Sequence, residues 1–471
     1  MNKNILTYIL LGTLTFGASS CEDILDTEPK QSVSTEVALN TYTGANSTLI
    51  GAYNGLQNIG YYGRDFVVIS EVLSDNMKVT LANSNRFVGQ YNNTQNSHFA
   101  LWRGADYNAY GTINMLNNVI AAVDNLKDAS EEQKSRLKGE ALFLRGLSYF
   151  DLARVYGYEP GKEVEGWNQS VPLILAPTDK FEAVTYPARN TNSEVYAQVI
   201  KDLNDAAGLL GAADYPTRAT SVAAHALLSR VYLYIGEWQK AVDAADIVIN
   251  ARGSSLVTDP TKYATIFKSA TSPESIFELN FESNENQLSN SIQSIYMRNG
   301  NDPNGAGYGD LVPTENLLAD YEQNDARKSL LVPVKKGSEN VFWNQKYAGS
   351  KGAYGLDNIK IIRIAEVYLN RAEALAELSR LEDARKDLNK IRSRAGLAVS
   401  TTDSKAELIA EVLKERRVEL AYEGHRWFDL KRRALTATKA PEVPYTDYRI
   451  LANIPTLEID TNPNIKPNPK Y

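Results

Sequence analysis

Two stretches of helix-spaced apolar residues, each broken once by a short turn, constrain the fold of this chain more than any other feature. In each stretch, small residues recur where two antiparallel helices would cross, so each predicts a tetratricopeptide-like helical hairpin. The first contains Ala224, Leu227, Leu228, Val231, Tyr232 and Ile235, then Gly236, then Trp238, Ala241, Ala245 and Val248; the second contains Val367, Leu369, Ala372 and Leu375, then Ser379, then Leu381, Ala384, Leu388 and Ile391. The two copies lie far apart, which favours hairpins separated by long insertions over a tandem solenoid.

Other segments fit the same architecture. Apolar spacing predicts helices over 36–56, from about 106 onward, over 131–156, over 191–210 and over 404–432. The segment between the third and fourth of these contains Pro160, Pro172, Pro177 and Pro187 and is predicted to be a connection. Alternation predicts short strands at 274–282 and 341–348. The predicted fold class is mainly α, with helical hairpins and a few short strands.

Two loop-rich regions, about 61–104 and 274–350, carry aromatic residues among many Asn and Gly. Long polar loops with aromatics are more often functional than structural. The chain contains 27 tyrosines, which suits a surface that stacks on a ligand and forms hydrogen bonds with it. A Gly305-x-Gly307-x-Gly309 run invites comparison with a phosphate-binding loop, but it lacks the Lys-Ser/Thr ending and a following helix, so we reject that interpretation.

The charged segment 411–432 can be interpreted in two ways. Glu411, Glu415, Glu419 and Glu423 recur at four-residue intervals, and His425 precedes Asp429, which could indicate acid–base chemistry or metal ligands on one helical face. The alternative is a scaffold helix with ion pairs along its surface, and each acidic residue has a basic residue in reach. The expected pairs are Glu411 with Lys414, Arg416 with Glu419, Glu423 with Arg426, and Asp429 with Arg433. We favour the scaffold, in which His425 and Trp427 pin the helix against its neighbours.

The N-terminus has the layout of a secretory signal over residues 1–20. Lys3 is followed by an apolar run from Ile5 to Phe16 and then by small residues. Cleavage before Cys21, the only cysteine, would expose its amine and thiol for lipidation, whereas the alternative is an ordinary signal peptide with an incidental cysteine. Residues 21–35 are then a lipidated tether, and acyl chains on Cys21 would anchor the protein to a membrane.

Composition and motifs exclude several classes of function. A net charge of -7 does not fit a nucleic-acid-binding surface. The three histidines lie on separate predicted elements, and none of the common hydrolase, metalloprotease or phosphate-loop motifs occurs. No metal or cofactor is therefore predicted. With 57 acidic residues, a pair of carboxylates in a glycosidase arrangement remains an alternative, but the sequence favours a binding protein over an enzyme.

Several separate motifs resemble the SusD/RagB family. These are the run Glu423-Gly-His-Arg-Trp-Phe-Asp-Leu-Lys-Arg432 with the preceding Glu-Arg-Arg-x-Glu-Leu, the start Cys21-Glu-Asp-Ile-Leu-Asp-Thr-Glu-Pro29, the helical segment 139–157, the turn 313–327, and the closing segments 454–464 and 468–471. The resemblance implies a SusD-like domain over 36–471, with hairpins at about 106–156, 192–252 and 363–395 and a loop-rich ligand face. The acidic residues after Cys21 resemble an export signal to the outer face of the outer membrane.

The resemblance also implies a function. Members are surface lipoproteins that capture nutrients for a SusC-like TonB-dependent transporter, so we expect oligosaccharide capture, with peptide capture, as in the RagB branch, as the alternative and a surface hydrolase as a remote one. Saccharide binding needs aromatic faces and planar polar groups, which the loops supply. The predicted ligand contacts are Asp75, Asn76, Arg86, Tyr91, Tyr296, Tyr308 and Trp343.

Overall fold

Helical hairpins make up most of the computed structural model, which describes residues 39–94, 102–180, 183–211, 216–299 and 305–471. The predicted signal peptide, the tether with Cys21, and parts of both predicted loop regions lie outside the described residues. The helices are α1 (Tyr42–Leu56), α2 (Asp65–Leu73), α3 (Val88–Tyr91), α4 (Arg103–Ala122), α5 (Glu131–Tyr156), α6 (Asn192–Leu209), α7 (Ser221–Tyr234), α8 (Trp238–Arg252), α9 (Thr265–Lys268), α10 (Ile292–Tyr296), α11 (Glu315–Asp320), α12 (Ile364–Glu377), α13 (Leu381–Arg394), α14 (Lys405–Leu420), α15 (Arg426–Arg432) and α16 (Thr456–Thr461).

The long helices pack in a continuous series. Helix α4 packs against α1 and α5, α5 against α6, α6 against α7, and α7 against α8. Helix α8 then contacts α12, which packs against both α13 and α14. Helix α5 has the predicted bounds, because Ser130 caps its start by accepting a hydrogen bond from Gln133 N at 3.2 Å. The mainly α fold and the two hairpins α7–α8 and α12–α13 are confirmed.

Short strands join the helical array to the irregular half of the chain. They are β1 (Met77–Val79), β2 (Ser275–Leu279), β3 (Leu311–Pro313), β4 (Leu331–Lys336), β5 (Glu339–Asn344) and β6 (Ile359–Arg363). They form three antiparallel pairs, β1 with β3, β2 with β6, and β4 with β5, in which Val79 is opposite Leu311 and Leu331 is opposite Asn344. Strand β2 lies within the predicted strand 274–282, and β5 overlaps the predicted strand 341–348 but begins two residues before it.

The prediction of one helix over 404–432 is wrong. Helix α14 ends at Leu420 and α15 begins at Arg426, with Tyr422 at φ 72° and Gly424 at φ 84° between them. The break lets the chain pass close to α2, where Gly424 N donates a hydrogen bond to Glu71 Oε1 at 2.9 Å. A Cβ at Gly424 would lie 3.1 Å from Val67 Cα, so a glycine suits both the backbone angle and the space.

Helix α2 lies in the region predicted as a loop. It was missed because Phe66 to Leu73 are all buried, so the helix has no polar face and no helical periodicity in its sequence. Around it, the aromatic residues predicted for a ligand surface form part of the core instead. Phe66 stacks on Phe428 with ring centroids 5.6 Å apart, and Tyr61, Tyr62 and Trp102 are buried.

Among the described residues, the largest cluster of buried apolar side chains contains members from Leu39 to Ile454. The last residues close onto it through a C-terminal clamp, which we define as Asn468 with its partners Tyr156, Trp167 and Ala452. The buried Asn468 amide donates to Tyr156 O at 3.0 Å and to Ala452 O at 2.7 Å, and its carbonyl accepts from Trp167 Nε1 at 3.0 Å. The clamp fixes the C-terminal segment against the end of α5.

Two glycines give a matched test of how closely the start of α4 packs against the backbone at Gly60. A Cβ at Gly104 in α4 would lie 2.7 Å from Gly60 Cα, whereas a Cβ at Gly208 in α6 would meet nothing within 4 Å. We expect Gly104→Ala to lower the free energy of unfolding by about 1 to 3 kcal/mol, because two backbones must move apart. Gly208→Ala should raise it by up to about 1 kcal/mol, because alanine favours the helix. Urea denaturation followed by fluorescence measures both, and equal effects would contradict the close crossing.

Candidate functional site

An arginine stacked on a tyrosine joins the two predicted loop regions. The Arg86 guanidinium carbon lies 3.8 Å from the centroid of the Tyr308 ring. Both side chains are half-buried, so part of each remains at the surface. A guanidinium over an aromatic face is a favourable cation–π contact, worth about 0.5 to 2 kcal/mol depending on solvent exposure. We call Arg86 and Tyr308 the stacked pair.

The loop that carries Tyr308 is held in place by hydrogen bonds and by a buried tryptophan. Tyr308 N donates to Ser294 O at 2.8 Å, and Lys336 Nζ donates to the carbonyls of Tyr308 at 2.6 Å and Gly309 at 2.9 Å. Gly309 has φ +55°, and a Cβ there would lie 2.6 Å from the Trp343 Nε1 atom. Trp343 is therefore a buried support under the loop, and its indole N–H donates to Gly309 O at 3.3 Å.

The loop that carries Arg86 is tied to the same support. Ser84 N donates to Asp310 Oδ2 at 2.9 Å, and the other oxygen of Asp310 accepts from Lys336. Burial lowers the pKa of Lys336, and the hydrogen bond from the lysine to Asp310 opposes that shift. Asn85 has φ 62°, a left-handed conformation that asparagine tolerates better than most residues. The two loops therefore share the buried Asp310–Lys336 pair.

A second tyrosine, Tyr354, lies beside the stacked pair and was not among the predicted ligand contacts. Its hydroxyl occupies the space that a Cβ at Gly307 would need, and its backbone carbonyl accepts from Asn286 Nδ2 at 2.9 Å. The side chain is half-buried, and burial raises the pKa of its hydroxyl. The signal that could have identified it is local: a lone aromatic between Gly352 and Gly355 in a glycine-rich loop.

Four of the seven predicted contacts are buried. Asp75 accepts from Arg426 Nε at 2.7 Å, and Asn76 lies between Glu71 and Arg417 at 2.9 Å from each. Burial acts to raise the pKa of Asp75, but the hydrogen bond and charge of Arg426 keep it below its usual value. These polar groups have internal partners and do not face solvent.

The two buried aromatics have structural neighbours. The Tyr296 ring lies 5.7 Å from that of Tyr422 and 6.3 Å from that of Tyr347, within the core, and Trp343 supports Gly309 as described. Asp75, Asn76, Tyr296 and Trp343 therefore offer no surface for direct ligand contact. Arg86, Tyr308 and Tyr91 are half-buried, so part of each side chain remains at the surface. The Tyr91 ring lies 5.2 Å from Lys439 Nζ rather than in the stacked pair.

The charged residues of 411–432 form a buried network that differs from the predicted pairs. Arg363 contacts Glu274 at 2.9 Å, Glu419 at 3.0 Å and Glu423 at 2.7 Å. We call these four residues the Arg363 cluster. Burial opposes ionisation of Glu423, but Arg363 and Lys346 lower its pKa to about 2.

Farther along the segment the ion pairs again cross between elements. Asp429 accepts from Arg416 and Arg432 at 2.8 Å each, and Arg432 also contacts Glu373 at 2.6 Å. The predicted pairs Arg416–Glu419, Glu423–Arg426 and Asp429–Arg433 are therefore replaced by contacts with other partners. Burial, followed by the nearby Arg230 and Arg416, lowers the pKa of His425 to about 3 although Glu366 acts in the opposite direction. His425 is thus neutral at pH 7 inside the scaffold.

Two further properties concern only the described part of the chain. Among those residues, no group of three or more His, Cys, Asp or Glu side chains is placed to hold a metal ion. None of the helices described is both long enough and apolar enough to cross a membrane.

Models of two related families match the chain at separate positions. The model described as the SusD family matches residues 326–449, and the model described as "Starch-binding associating with outer membrane" matches residues 23–233. Together they include α1 to most of α7, the Arg363 cluster except Glu274, and α12 to α15.

Whole-chain comparisons agree with these matches. A SusD-like protein of Formosa agariphila is 24% identical over 92% of this chain and 91% of its own. A solved structure of a proposed sugar-binding protein of Bacteroides vulgatus has a TM-score of 0.82 at 29% identity, covering 92% of this chain and 99% of its own. A SusD superfamily structure from Bacteroides thetaiotaomicron has a TM-score of 0.80 at 29% identity, covering 91% and 100%. The helical architecture described above is therefore shared along nearly the whole length of the two solved structures.

Proposed function

The chain belongs to the SusD/RagB family, and from that membership we propose that it captures an oligosaccharide at the surface of the outer membrane and delivers it to a SusC-like TonB-dependent transporter. The matching starch-binding family description and the proposed sugar-binding relative support a carbohydrate ligand. In this proposal Cys21 carries the lipid anchor, and the protein binds its ligand without turning it over.

The stacked pair carries the proposal for the site. A saccharide ring presents an apolar face of C–H groups that packs on an aromatic ring, and hydroxyls that accept hydrogen bonds from a guanidinium. Tyr308 and Arg86 supply these two groups within one contact of 3.8 Å, and Tyr354 adds a second aromatic beside them. We retain Tyr91 as a peripheral contact. The buried Trp343 and Asp310 position this surface.

A binding measurement with matched variants tests the site. We expect Tyr308→Ala and Arg86→Ala each to weaken binding about tenfold, equivalent to about 1.4 kcal/mol, because each removes half of the stacked pair. The control is a second cation–aromatic pair on the hairpin α7–α8, where Lys240 Nζ lies 5.8 Å from the Tyr232 ring centroid. Tyr232→Ala and Lys240→Ala should leave affinity unchanged.

The ligand is found by screening the mature chain with Cys21→Ser against glycan and peptide libraries. Binding to glycans alone supports the proposal, whereas binding to peptides alone supports the alternative of peptide capture. Release of product from a bound polysaccharide would contradict capture without turnover. If Tyr308→Ala and Arg86→Ala bind as tightly as the unchanged protein, the ligand site lies elsewhere.

A further inference from the structure

A long groove lies away from the stacked pair, between α4 and the C-terminal segment. Its volume is about 600 Å³. One wall is α4 from Asn108 to Met115, the other includes Ile454 and Ile465, and the segments 170–178 and 184–189 complete it. The end of α1 at Gly55 forms part of its rim. Apolar side chains dominate the walls, and the volume would hold several side chains of an extended peptide.

Most polar groups in the walls are committed to holding the groove together. Asn114 exchanges hydrogen bonds with the backbone of Thr178 at 2.8 and 3.0 Å, and Asn462 donates to Pro187 O at 2.9 Å. Two buried hydroxyls in the walls differ, because Ser170 Oγ and Thr112 Oγ1 have no hydrogen-bond partner among the described residues. Both oxygens are fully buried, so an occupant of the groove does not reach them and would contact the walls mainly through apolar side chains.

A buried cation also lies in the wall. Arg189 donates to four backbone carbonyls, those of Ser170, Lys466, Tyr156 and Gln169, and no carboxylate pairs with it among the described residues. Glu458, also in the wall, is exposed to solvent and does not compensate this charge. An occupant with carboxylates would therefore meet an opposite charge beside an apolar surface.

The groove exposes two large apolar side chains. Tyr186 is 47% exposed and Val184 is 39% exposed, and both line the groove. Exposed apolar side chains in a mainly apolar groove offer an occupant a contact surface.

We propose that this groove binds the chain's own N-terminal segment, residues 22–38. Helices α1 and α4 are antiparallel, since Gly51 faces Met115 and Gly55 faces Thr112. The start of α1 lies at the other end of α4, where Tyr42 N donates to Asp128 at 2.9 Å. From Ala122 back to Asn108, the far end of the groove on α4, is about 21 Å at 1.5 Å per residue. An extended segment of this length spans about 56 Å, so it reaches the whole groove.

The chemistry of the segment fits the walls. Ile24 and Leu25 form an adjacent apolar pair, and Val33 adds a third apolar side chain farther along. Asp26 and Glu28 supply carboxylates next to the apolar pair, which matches the uncompensated Arg189.

Docking would set how the domain lies on the membrane. Residue 22 directly follows Cys21, so a bound segment would hold the anchor beside the groove instead of at the end of a free tether. This consequence for orientation rests on the proposed lipid anchor. The docking itself does not, because it concerns only the protein chain.

Disulfide trapping in the mature chain tests the docking. Cys21→Ser removes the only native cysteine and the lipid, and Leu25→Cys is then combined either with Tyr186→Cys in the groove or with Val399→Cys, 54% exposed on the loop after α13. Under mild oxidation we expect the intramolecular disulfide with Tyr186→Cys to form at least about ten times faster than that with Val399→Cys, because docking raises the local concentration of the thiol. Adding Ile24→Asp and Val33→Asp should reduce the Tyr186→Cys rate to that of the Val399→Cys control.

Three results would overturn the proposal. These are equal rates for the two cysteine pairs, a rate that Ile24→Asp and Val33→Asp do not change, and disulfides formed mainly between two chains, which would indicate a second copy in the groove. Matching unfolding temperatures for the single variants Tyr186→Cys and Val399→Cys show that both proteins are folded. Because no saccharide takes part, failure here is independent of failure of the proposed ligand site.

Discussion

Replacing Arg363 by methionine is expected to lower the free energy of unfolding by about 3 to 5 kcal/mol, because the change leaves buried carboxylates without their shared partner. Arg363 contacts Glu274, Glu419 and Glu423, all buried, and methionine fills the space without the charge. Arg394, Lys346 and Arg327 still contact these acids, but Arg327 also pairs with Asp325 and Glu415, so the buried group keeps an excess of negative charge. Denaturant unfolding at pH 7 measures the loss.

The control is a similar ion pair at the surface. Arg380 lies 3.1 Å from Asp383, and both side chains are about half exposed. Arg380→Met should leave stability within experimental error, since exposed pairs are screened by water and salt. A double variant Arg363→Met with Glu423→Gln should lose less than the sum of the two single changes, because one stranded charge has been removed. An effect of Arg363→Met as small as that of Arg380→Met would show that the Arg363 cluster does not hold the fold.

Between pH 7.5 and pH 5, the free energy of unfolding is expected to fall by about 2 kcal/mol less in His425→Gln than in the unchanged protein. Burial lowers the pKa of folded His425 to about 3, whereas an unfolded histidine titrates at about 6.5. In this pH range the unfolded chain therefore binds a proton that the folded chain does not bind. The free energy of unfolding must fall as the pH is lowered, and it must fall less in His425→Gln.

The difference in the pH dependence of unfolding between the unchanged protein and His425→Gln isolates the contribution of His425. Buried carboxylates whose pKa is raised by burial, such as Glu71 and Glu274, act in the opposite direction as the pH falls, and the subtraction cancels them. Ligand affinity at pH 7 should be the same in His425→Gln as in the unchanged protein. Parallel stability curves would contradict a neutral buried histidine, and a selective loss of affinity would restore a functional role for His425.

The helical array could be predicted because its signals are local. The bounds of α5 and the turn between α7 and α8 follow from apolar spacing, a capping box and Gly236, all within a few residues of the feature they determine. Helix α2 lacked such a signal, because burial on every side removes the contrast between faces.

Ion pairs and site residues could not be predicted in the same way. Arg426 pairs with Asp75, 351 residues away, and Arg363 pairs with Glu423, 60 residues away, so neighbours in sequence were the wrong partners to consider. The predicted loop regions contain Arg86 and Tyr308, but composition cannot distinguish an aromatic that supports a loop, such as Trp343, from one at its surface. That distinction depends on Gly309, whose missing Cβ leaves room for the indole.

The C-terminal clamp has a consequence for how the chain matures. Asn468 binds Tyr156, 312 residues earlier, and Trp167, 301 residues earlier. A chain made from its N-terminus presents the end of α5 and the Trp167 indole N–H without these partners until synthesis reaches Asn468. Contacts of such long sequence separation form late, because the entropy of closing the intervening loop must be overcome first. A chain that ends before Asn468 would thus lack the hydrogen bonds that tie the end of α5, Trp167 and Ala452 to one another.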